Sequence, residues 1–271
     1  MIGRLIDEHI RPTIVATTRP MQSPSQYGFT EKVTYLMGAL QRHECEKFCL
    51  DRKKTFFGCS LDGDSAFEVV NRVIQTRELY MSGVKGDYWQ ASNYSYQDSL
   101  TKIKMDGKLS REIDEKLGVK QGHINRSDQY KVYIGPCLET LEEAQLGVWI
   151  GPINSGVSGC ADDVFLGSDD PVKLQALIDI AAHYGSLYRI RYGASKTKIT
   201  VSGPEIDIRY YADTKPWIMD GQTIEVVENN DHLGQILSGI RQEEKNVDLR
   251  IRKSQNSLFA LLGQPSALDV C

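Results

Sequence analysis

Apolar positions along the chain follow two spacings, and each spacing predicts a different kind of element. A spacing of three or four residues, which places side chains on one face of a helix, recurs in six stretches. These stretches predict helices that begin at Ile2, after Thr30, after Asp64 or Ser65, at about Asn125, near Pro171 and at about Arg241.

For two of these helices the sequence also predicts a structural detail. The second helix would bury an apolar stripe that contains Leu36, Met37 and Leu40. Pro136 lies inside the fourth helix, where it removes a backbone hydrogen-bond donor. We therefore expect this helix to be kinked or divided at Pro136.

Short apolar runs between the helices predict strands. Thr55–Leu61 and Ile199–Val201 combine apolar and β-branched residues over strand lengths. Residues 148–166 predict a hairpin, and the pairs Asp106-Gly107 and Asp220-Gly221 are typical of the two-residue turns that join two strands. Strands and helices are interleaved without strict alternation, so the pattern predicts a mixed α and β fold.

Three aspartates at strand ends are the candidate chemistry. Asp162 and Asp163 are neighbours at the tip of the predicted hairpin, and Asp62 follows the strand Thr55–Leu61. Successive strand residues alternate faces, so the paired carboxylates converge only if the chain turns there. Crowded carboxylates repel one another unless a cation neutralises them, and Mg²⁺ or Mn²⁺ prefers oxygen ligands. The pattern predicts a divalent metal site.

Composition adds limits on the class of protein. The chain has 271 residues, 41% hydrophobic and 25% charged, which is typical of one large globular domain or two small ones. A net charge of −4 argues against a uniformly basic nucleic-acid binder, although basic residues are dense at 189–198 and 241–253. With no bilayer-length apolar run and acids at Asp7 and Glu8, we expect an intracellular protein without a membrane partner, in the nucleus or the cytoplasm.

Six short motifs resemble those of the reverse transcriptases of non-LTR (LINE-type) retrotransposons, and they occur in the order of that family over nearly the whole chain. The motifs are Gln26–Phe29 (QxGF), Leu61–Glu68 (the first catalytic motif, LDxxxAFD), Gly118–Gly122 (GVxQG), Cys160–Asp163 (the YADD box), Ser195–Lys198 (SKT) and His232–Gly234 (YLG of the primer grip).

The resemblance implies an α+β right-hand polymerase fold, with an antiparallel palm sheet packed on helices, inserted fingers and a partial thumb. Its subdomains would be fingers at 1–54, palm at 55–87, a fingers–palm connection at 88–122, palm at 123–240 and the start of the thumb at 241–271. The rest of a larger polyprotein would be missing, since no endonuclease or ribonuclease H portion is visible.

The implied function is RNA-directed DNA polymerase activity, which transfers a deoxynucleotide to a primer 3′-hydroxyl. The partners would be an RNA template, a DNA primer and dNTPs. Two Mg²⁺ ions, or Mn²⁺, would be held by Asp62, Asp162 and Asp163 together with the carbonyl of Gly63. Lys196 would donate a proton to pyrophosphate, and Lys198 is the alternative donor.

The remaining implied roles concern the nucleotide and the primer. The ring of Phe67 would lie under the nucleotide sugar and leave no room for a 2′-hydroxyl, although periodicity alone favours a core residue. The other assigned residues contact the nascent base pair (Gln121 and Gly122) and the primer end (Leu233 and Gly234).

The chain also departs from the family's pattern. Cys160 replaces a tyrosine, Glu68 replaces an aspartate, and residues 123–129 differ from the usual PLSP stretch. The RPI-type segment, which supplies a basic residue to the triphosphate, is absent. Two alternatives therefore stay open: a catalytically incomplete retroelement fragment that binds RNA without turnover, and an RNA-dependent RNA polymerase, against which Phe67 argues.

Overall fold

A computed structural model describes residues 23–30, 32–63, 66–97, 99–119, 126–203, 208–214, 216–232, 235–238 and 242–261. Its helices are α1 (Tyr35–Asp51), α2 (Arg72–Met81), α3 (Gly86–Tyr94), α4 (Arg126–Glu143), α5 (Pro171–Tyr188), α6 (Ile208–Asp213) and α7 (Gln242–Leu261). Its strands are β1 (Phe56–Leu61), β2 (Leu100–Thr101), β3 (Lys104–Met105), β4 (Lys108–Leu109), β5 (Ile113–Asp114), β6 (Val148–Ile150), β7 (Ile153–Ser155), β8 (Val157–Cys160), β9 (Asp163–Ser168), β10 (Lys198–Ser202), β11 (Trp217–Met219), β12 (Gln222–Val226), β13 (Asn229–His232) and β14 (Gln235–Ser238).

A six-stranded sheet forms the centre of the described structure. Its strand order is β11-β12-β10-β1-β9-β8, and neighbours are antiparallel except for the parallel pair β10 and β12. β1 lies between β9 and β10, and all six of its residues are buried. The predicted strands Thr55–Leu61 and Ile199–Val201 are thus confirmed, and they share this sheet with the β8–β9 hairpin of the 148–166 stretch, whereas β6 and β7 form a separate two-stranded pair.

The two faces of the sheet pack against different helices. Phe57, Cys59 and Leu61 of β1 join the main apolar core, which buried side chains of α4 and α5 complete. Phe56 points the other way, into a smaller cluster with Cys45 of α1. This alternation follows from the two-residue period of a strand, and it divides the sheet residues between a large core and a small one.

The predicted hairpins and the start of α5 are confirmed. Asp106 and Gly107 have φ of 50° and 77°, and Asp220 and Gly221 have 50° and 76°, as two-residue turns with both central residues left-handed require. The side chain of Asp170 caps α5 by accepting from two backbone N–H groups. None of the helices in the described ranges is long and apolar enough to cross a bilayer.

The predicted buried face of α1 is wrong. The side chains of Leu36, Met37 and Leu40 are 44%, 50% and 58% exposed. The buried face carries small and polar residues instead, including Gly38, against which the ring of Tyr27 packs so closely that a Cβ would lie 2.9 Å from it. Close approach of the helix, rather than its apolar stripe, decides which face meets the protein.

The helix predicted to begin at Asp64 or Ser65, two residues outside the described ranges, begins at Arg72, where the Asn71 side chain caps it. Residues 66–69 form turns and a bend, because the segment from Gly118 occupies their hydrogen-bonding groups. The Gly118 N–H donates to Val70 O at 2.8 Å, and the Val119 N–H donates to Phe67 O at 3.0 Å.

The predicted division of the helix at Pro136 is also wrong, whereas the alternative of a kink stays a prediction. α4 runs from Arg126 to Glu143 without interruption. Leu138 and Leu141, on the next turns, are fully or almost fully buried in the main core. Tertiary packing on both sides of Pro136 offsets the one backbone hydrogen bond that the proline removes.

Candidate active site

The pairing of β1 with β9 brings the distant aspartates together. In this antiparallel register Leu61 lies opposite Val164, so continuing by one residue places Asp62 opposite Asp163. Directly opposite residues share a face and have Cβ atoms about 4.5–5.5 Å apart. Leu61 and Val164 face the main core, and the charge of Asp62 acts on both Asp162 and Asp163.

The turn between β8 and β9 carries the third aspartate. Cys160 pairs with Asp163, which leaves Ala161 and Asp162 as the two residues of the turn. Ala161 has a φ of 61°, in the left-handed region. Asp162 therefore stands at the tip and Asp163 begins β9, whereas the sequence predicted both aspartates at the tip.

Gly63 lies directly against the turn. A Cβ built on Gly63 would lie 3.4 Å from the Asp162 Cβ, and Gly63 forms an isolated bridge with Tyr192. The Gly193 N–H donates to the Asp62 carbonyl at 3.4 Å. These contacts hold the chain after β1 beside the β8–β9 hairpin.

The three carboxylates act on one another electrostatically. Burial raises the pKa of Asp163 to about 6, and the charges of Asp162 and Asp62 add to this effect. Burial also raises the pKa of Asp162, with further increases from Asp62 and Glu68, while its own backbone N–H and the Arg126 guanidinium act in the opposite direction. The negative charges of the carboxylates are thus only partly compensated by the positive charge of Arg126.

This donor set fits a divalent ion that also takes ligands from outside the protein. Within the described ranges, no three His, Cys, Asp or Glu side chains are grouped closely enough to hold a metal ion by themselves. Mg²⁺ is ordinarily held by one or two carboxylates together with waters and substrate phosphates. The half-buried, mutually repelling carboxylates of Asp62, Asp162 and Asp163 suit such an open site.

The Gln26–Phe29 segment braces the hairpin that carries Asp162. The buried Gln26 side chain accepts from the Gly28 N–H at 3.0 Å and from the Ala161 N–H at 3.2 Å. The Tyr27 N–H donates to Gly159 O, and the Gly159 N–H donates to Ser25 O, both at 2.7 Å. The QxGF motif therefore holds the left-handed turn in place.

Phe67 lies beside the carboxylates, half-buried between aromatic rings. Its centroid is 4.6 Å from that of Tyr130 and 6.5 Å from that of Phe29. The Arg126 guanidinium carbon lies 4.4 Å from the Phe67 centroid, and Arg126 Nη2 is 3.0 Å from Glu68 Oε1. The ring of Phe67 thus packs against other aromatic rings and also lines the site.

The two candidate lysines have different surroundings. Lys198 Nζ donates to Glu225 Oε2 at 2.6 Å and to Ser195 O at 2.8 Å, so its charge is compensated. Lys196 is exposed, in a turn whose first residue, Gly193, is bonded to the Asp62 carbonyl. Of the two side chains, that of Lys196 is the more exposed to solvent.

Four of the predicted site residues, Gln121, Gly122, Leu233 and Gly234, lie outside the described residues. Two features of the described site had no assigned role in the sequence. One is the brace made by Gln26, for which only the motif itself was a signal. The other is Arg126, which lies in the stretch that departs from the family pattern, so no spacing rule indicated it.

Comparison with known proteins identifies the fold. A family described as reverse transcriptase (RNA-dependent DNA polymerase) matches residues 1–253. Among solved structures, the chain is similar to apo telomerase from Candida tropicalis truncated from its C-terminal domain, with a TM-score of 0.61, 10% identity and coverage of 88% of this chain and 46% of that chain.

The chain is also similar to telomerase from Candida tropicalis in complex with the TWJ fragment of telomeric RNA, with a TM-score of 0.55, 11% identity and coverage of 74% of this chain and 35% of that chain. At these identities the likeness concerns the fold alone, and it confirms the α+β polymerase fold. The chain spans less than half the length of either telomerase chain.

Asp163→Asn tests the raised pKa of this carboxyl group, which burial causes first and the charges of Asp162 and Asp62 increase. The folded-state pKa of about 6 lies above the ordinary value of 3.8, so the folded chain binds this proton more tightly than the unfolded chain. Wild type therefore gains stability relative to the variant as pH falls through about 6 towards 4. We expect the variant to have the higher melting temperature at pH 7.5, with a smaller difference at pH 5.

The control for this comparison is Asp213→Asn, which removes an exposed carboxylate of α6. Its difference from wild type should change little with pH. Parallel pH curves for wild type and Asp163→Asn would contradict the raised pKa of Asp163.

Gly28→Ala tests the brace on the hairpin. The new Cβ would lie 2.6 Å from the Ala161 backbone nitrogen and 2.9 Å from the Cys160 carbonyl carbon, so backbone must shift. We expect a loss of about 1–3 kcal/mol in the free energy of unfolding, measured by urea denaturation. The control Gly135→Ala, in α4 with no atom within 4 Å of its Cβ, should be neutral or stabilising. Equal stabilities of the two variants would argue against the brace.

Proposed function

The chain belongs to the reverse transcriptase family and is a nucleotidyltransferase, and from this premise we propose that it joins deoxynucleotides to a DNA primer paired with an RNA template. The observation that carries the proposal is the proximity of the three aspartates: the charge of Asp62 acts on both Asp162 and Asp163, and Gly63 lies against the turn at Asp162. Three clustered carboxylates in the catalytic motifs of this family are the expected place for two-metal chemistry.

In the proposed reaction, Asp62 and Asp162 bind two Mg²⁺ ions, and Mn²⁺ can replace them. Asp163 adds negative charge at the rim, and the Gly63 carbonyl is a further ligand. Held by these residues, the ions would supply Lewis-acid chemistry: a lower pKa for the primer 3′-hydroxyl and compensation of the negative charge on the triphosphate and the leaving pyrophosphate. The raised pKa of Asp163, about 6 without a bound cation, supports a strong attraction for cations at neutral pH.

The other residues select and orient the substrates. The ring of Phe67, fixed by its contacts with Tyr130 and Phe29, lies under the sugar and excludes a 2′-hydroxyl. Lys196, exposed in its turn, donates a proton to pyrophosphate. The contacts with the nascent base pair and the primer end are assigned from the family motifs alone, to Gln121 and Gly122 and to Leu233 and Gly234.

The six ordered motifs support an origin in a non-LTR retrotransposon, with this chain forming the fingers, palm and first part of the thumb of a larger protein. One telomerase neighbour is described in complex with an RNA fragment. We propose that the present chain also binds RNA, as the template for synthesis.

A second candidate is a fragment that binds RNA without turnover. It is favoured by the absence, within the described ranges, of three His, Cys, Asp or Glu side chains grouped closely enough to hold a metal ion by themselves. Filter binding that detects affinity for an RNA–DNA duplex, with no extension even in Mn²⁺, would support this candidate.

Primer extension on an RNA template with dNTPs and Mg²⁺ tests the function. Asp162→Asn removes one charge from the cluster, so we expect incorporation to fall by roughly 100-fold or more, while Asp213→Asn retains the wild-type rate. Equal incorporation by wild type and Asp162→Asn would exclude the mechanism. A preference for ribonucleotides would instead identify an RNA-dependent RNA polymerase.

A further inference from the structure

We propose that Arg126 binds the triphosphate of the incoming nucleotide and that Glu68 holds the guanidinium over Phe67 until the nucleotide replaces this ion pair. The inference rests on the proposed function and adds a specificity-determining residue to it. The geometry that carries it is the position of one guanidinium over the ring of Phe67 and 3.0 Å from Glu68, near enough to the site for its charge to act on Asp162.

The position of Arg126 is poorly explained by helix stability. Arg126 begins α4, where the helix dipole disfavours a positive charge, whereas Asp128 in the same turn has the favourable sign. A cation at this place therefore needs another anion. Arg126 Nη2 lies 3.0 Å from Glu68 Oε1. The positive charge of Arg126 also acts to lower the pKa of Asp162.

The hydrogen-bonding capacity of Arg126 is only partly used. Its Nε is buried and has no hydrogen-bond partner in the described structure, while Nη2 donates to Glu68. A buried donor without an acceptor is unfavourable, and a guanidinium has the fork geometry that matches phosphate oxygens. A phosphate group would accept a hydrogen bond from the Nε–H and would replace Glu68 as the acceptor for Nη2.

The ion pair is suited to exchange. The side chain of Glu68 is 65% exposed, and exposed ion pairs contribute little to stability because water and salt screen them. A triphosphate carries several negative charges, so it competes effectively for the guanidinium and repels Glu68. Withdrawal of Arg126 from the face of Phe67 would uncover the ring for the nucleotide sugar.

The sequence adds an independent observation. Glu68 and residues 123–129 are two places where the chain departs from the family pattern, and the structure joins them in a single ion pair. The RPI-type basic segment was a third departure. Arg126 supplies a positive charge to the site from a different element.

The KM for a dNTP in primer extension, measured with four variants, tests the proposal. We expect Arg126→Gln to raise this KM about tenfold with little change in kcat, and Arg126→Lys to restore part of the loss. Glu68→Gln should leave KM unchanged or lower it, and the double variant should behave as Arg126→Gln, because Glu68 acts through Arg126. The matched control is Arg77→Gln, which removes an exposed arginine that also lies near a glutamate.

Inhibition by inorganic tripolyphosphate separates phosphate binding from packing on Phe67. Arg126→Gln should weaken this inhibition by the same factor as it raises KM, whereas Arg77→Gln should not. An unchanged inhibition constant overturns the proposal, as does an effect confined to the affinity for the primer–template. If Arg126→Gln does not fold, the predicted changes in Arg126→Lys and Glu68→Gln decide the matter.

Failure of the proposed function would be recognised separately. If wild type shows no Asp162-dependent incorporation, equilibrium binding of a fluorescent dNTP in Mg²⁺ still compares Arg126→Gln with Arg77→Gln. About tenfold weaker binding by the Arg126 variant alone supports the inference without catalysis. No binding by wild type, or equal binding by both variants, overturns it.

Discussion

The register of β1 against β9 is the constraint on which the candidate site depends. Leu61 opposite Val164 puts two apolar side chains into the main core, and the same register puts Asp62 opposite Asp163. A slip of one residue would turn Asp62 towards the core and Leu61 away from it. Because burial of the apolar residues strongly disfavours that slip, the core fixes the position of the carboxylates.

Carboxylates held in this way repel one another, so the surrounding structure must resist their separation. The main core supports β1 and β9 from one face, and Gln26 and Gly28 hold the turn at Ala161 from outside the sheet. The result is a group of acids in which Asp162 and Asp163 have raised pKa values and which attracts cations. A site of this kind is prearranged for an ion and is relaxed by binding it.

The sequence predicted the elements and motifs better than their contacts. Asp62, Asp162 and the Asp-Gly turns were found because strand ends and left-handed turns require particular residue types. The buried face of α1 was missed because Gly38 permits close packing that an apolar stripe does not reveal. The contact between Arg126 and Glu68 was missed because 58 residues separate them and neither belongs to a motif that specifies a pair.

The most direct measurement is the anomalous scattering of Mn²⁺ in crystals soaked with MnCl₂ and a dNTP. The account predicts two peaks about 3.5–4 Å apart, with carboxylate oxygens of Asp62 and Asp162 about 2.0–2.2 Å from the manganese. Manganese bound elsewhere at saturating concentration, with no peak between these two residues, would contradict it.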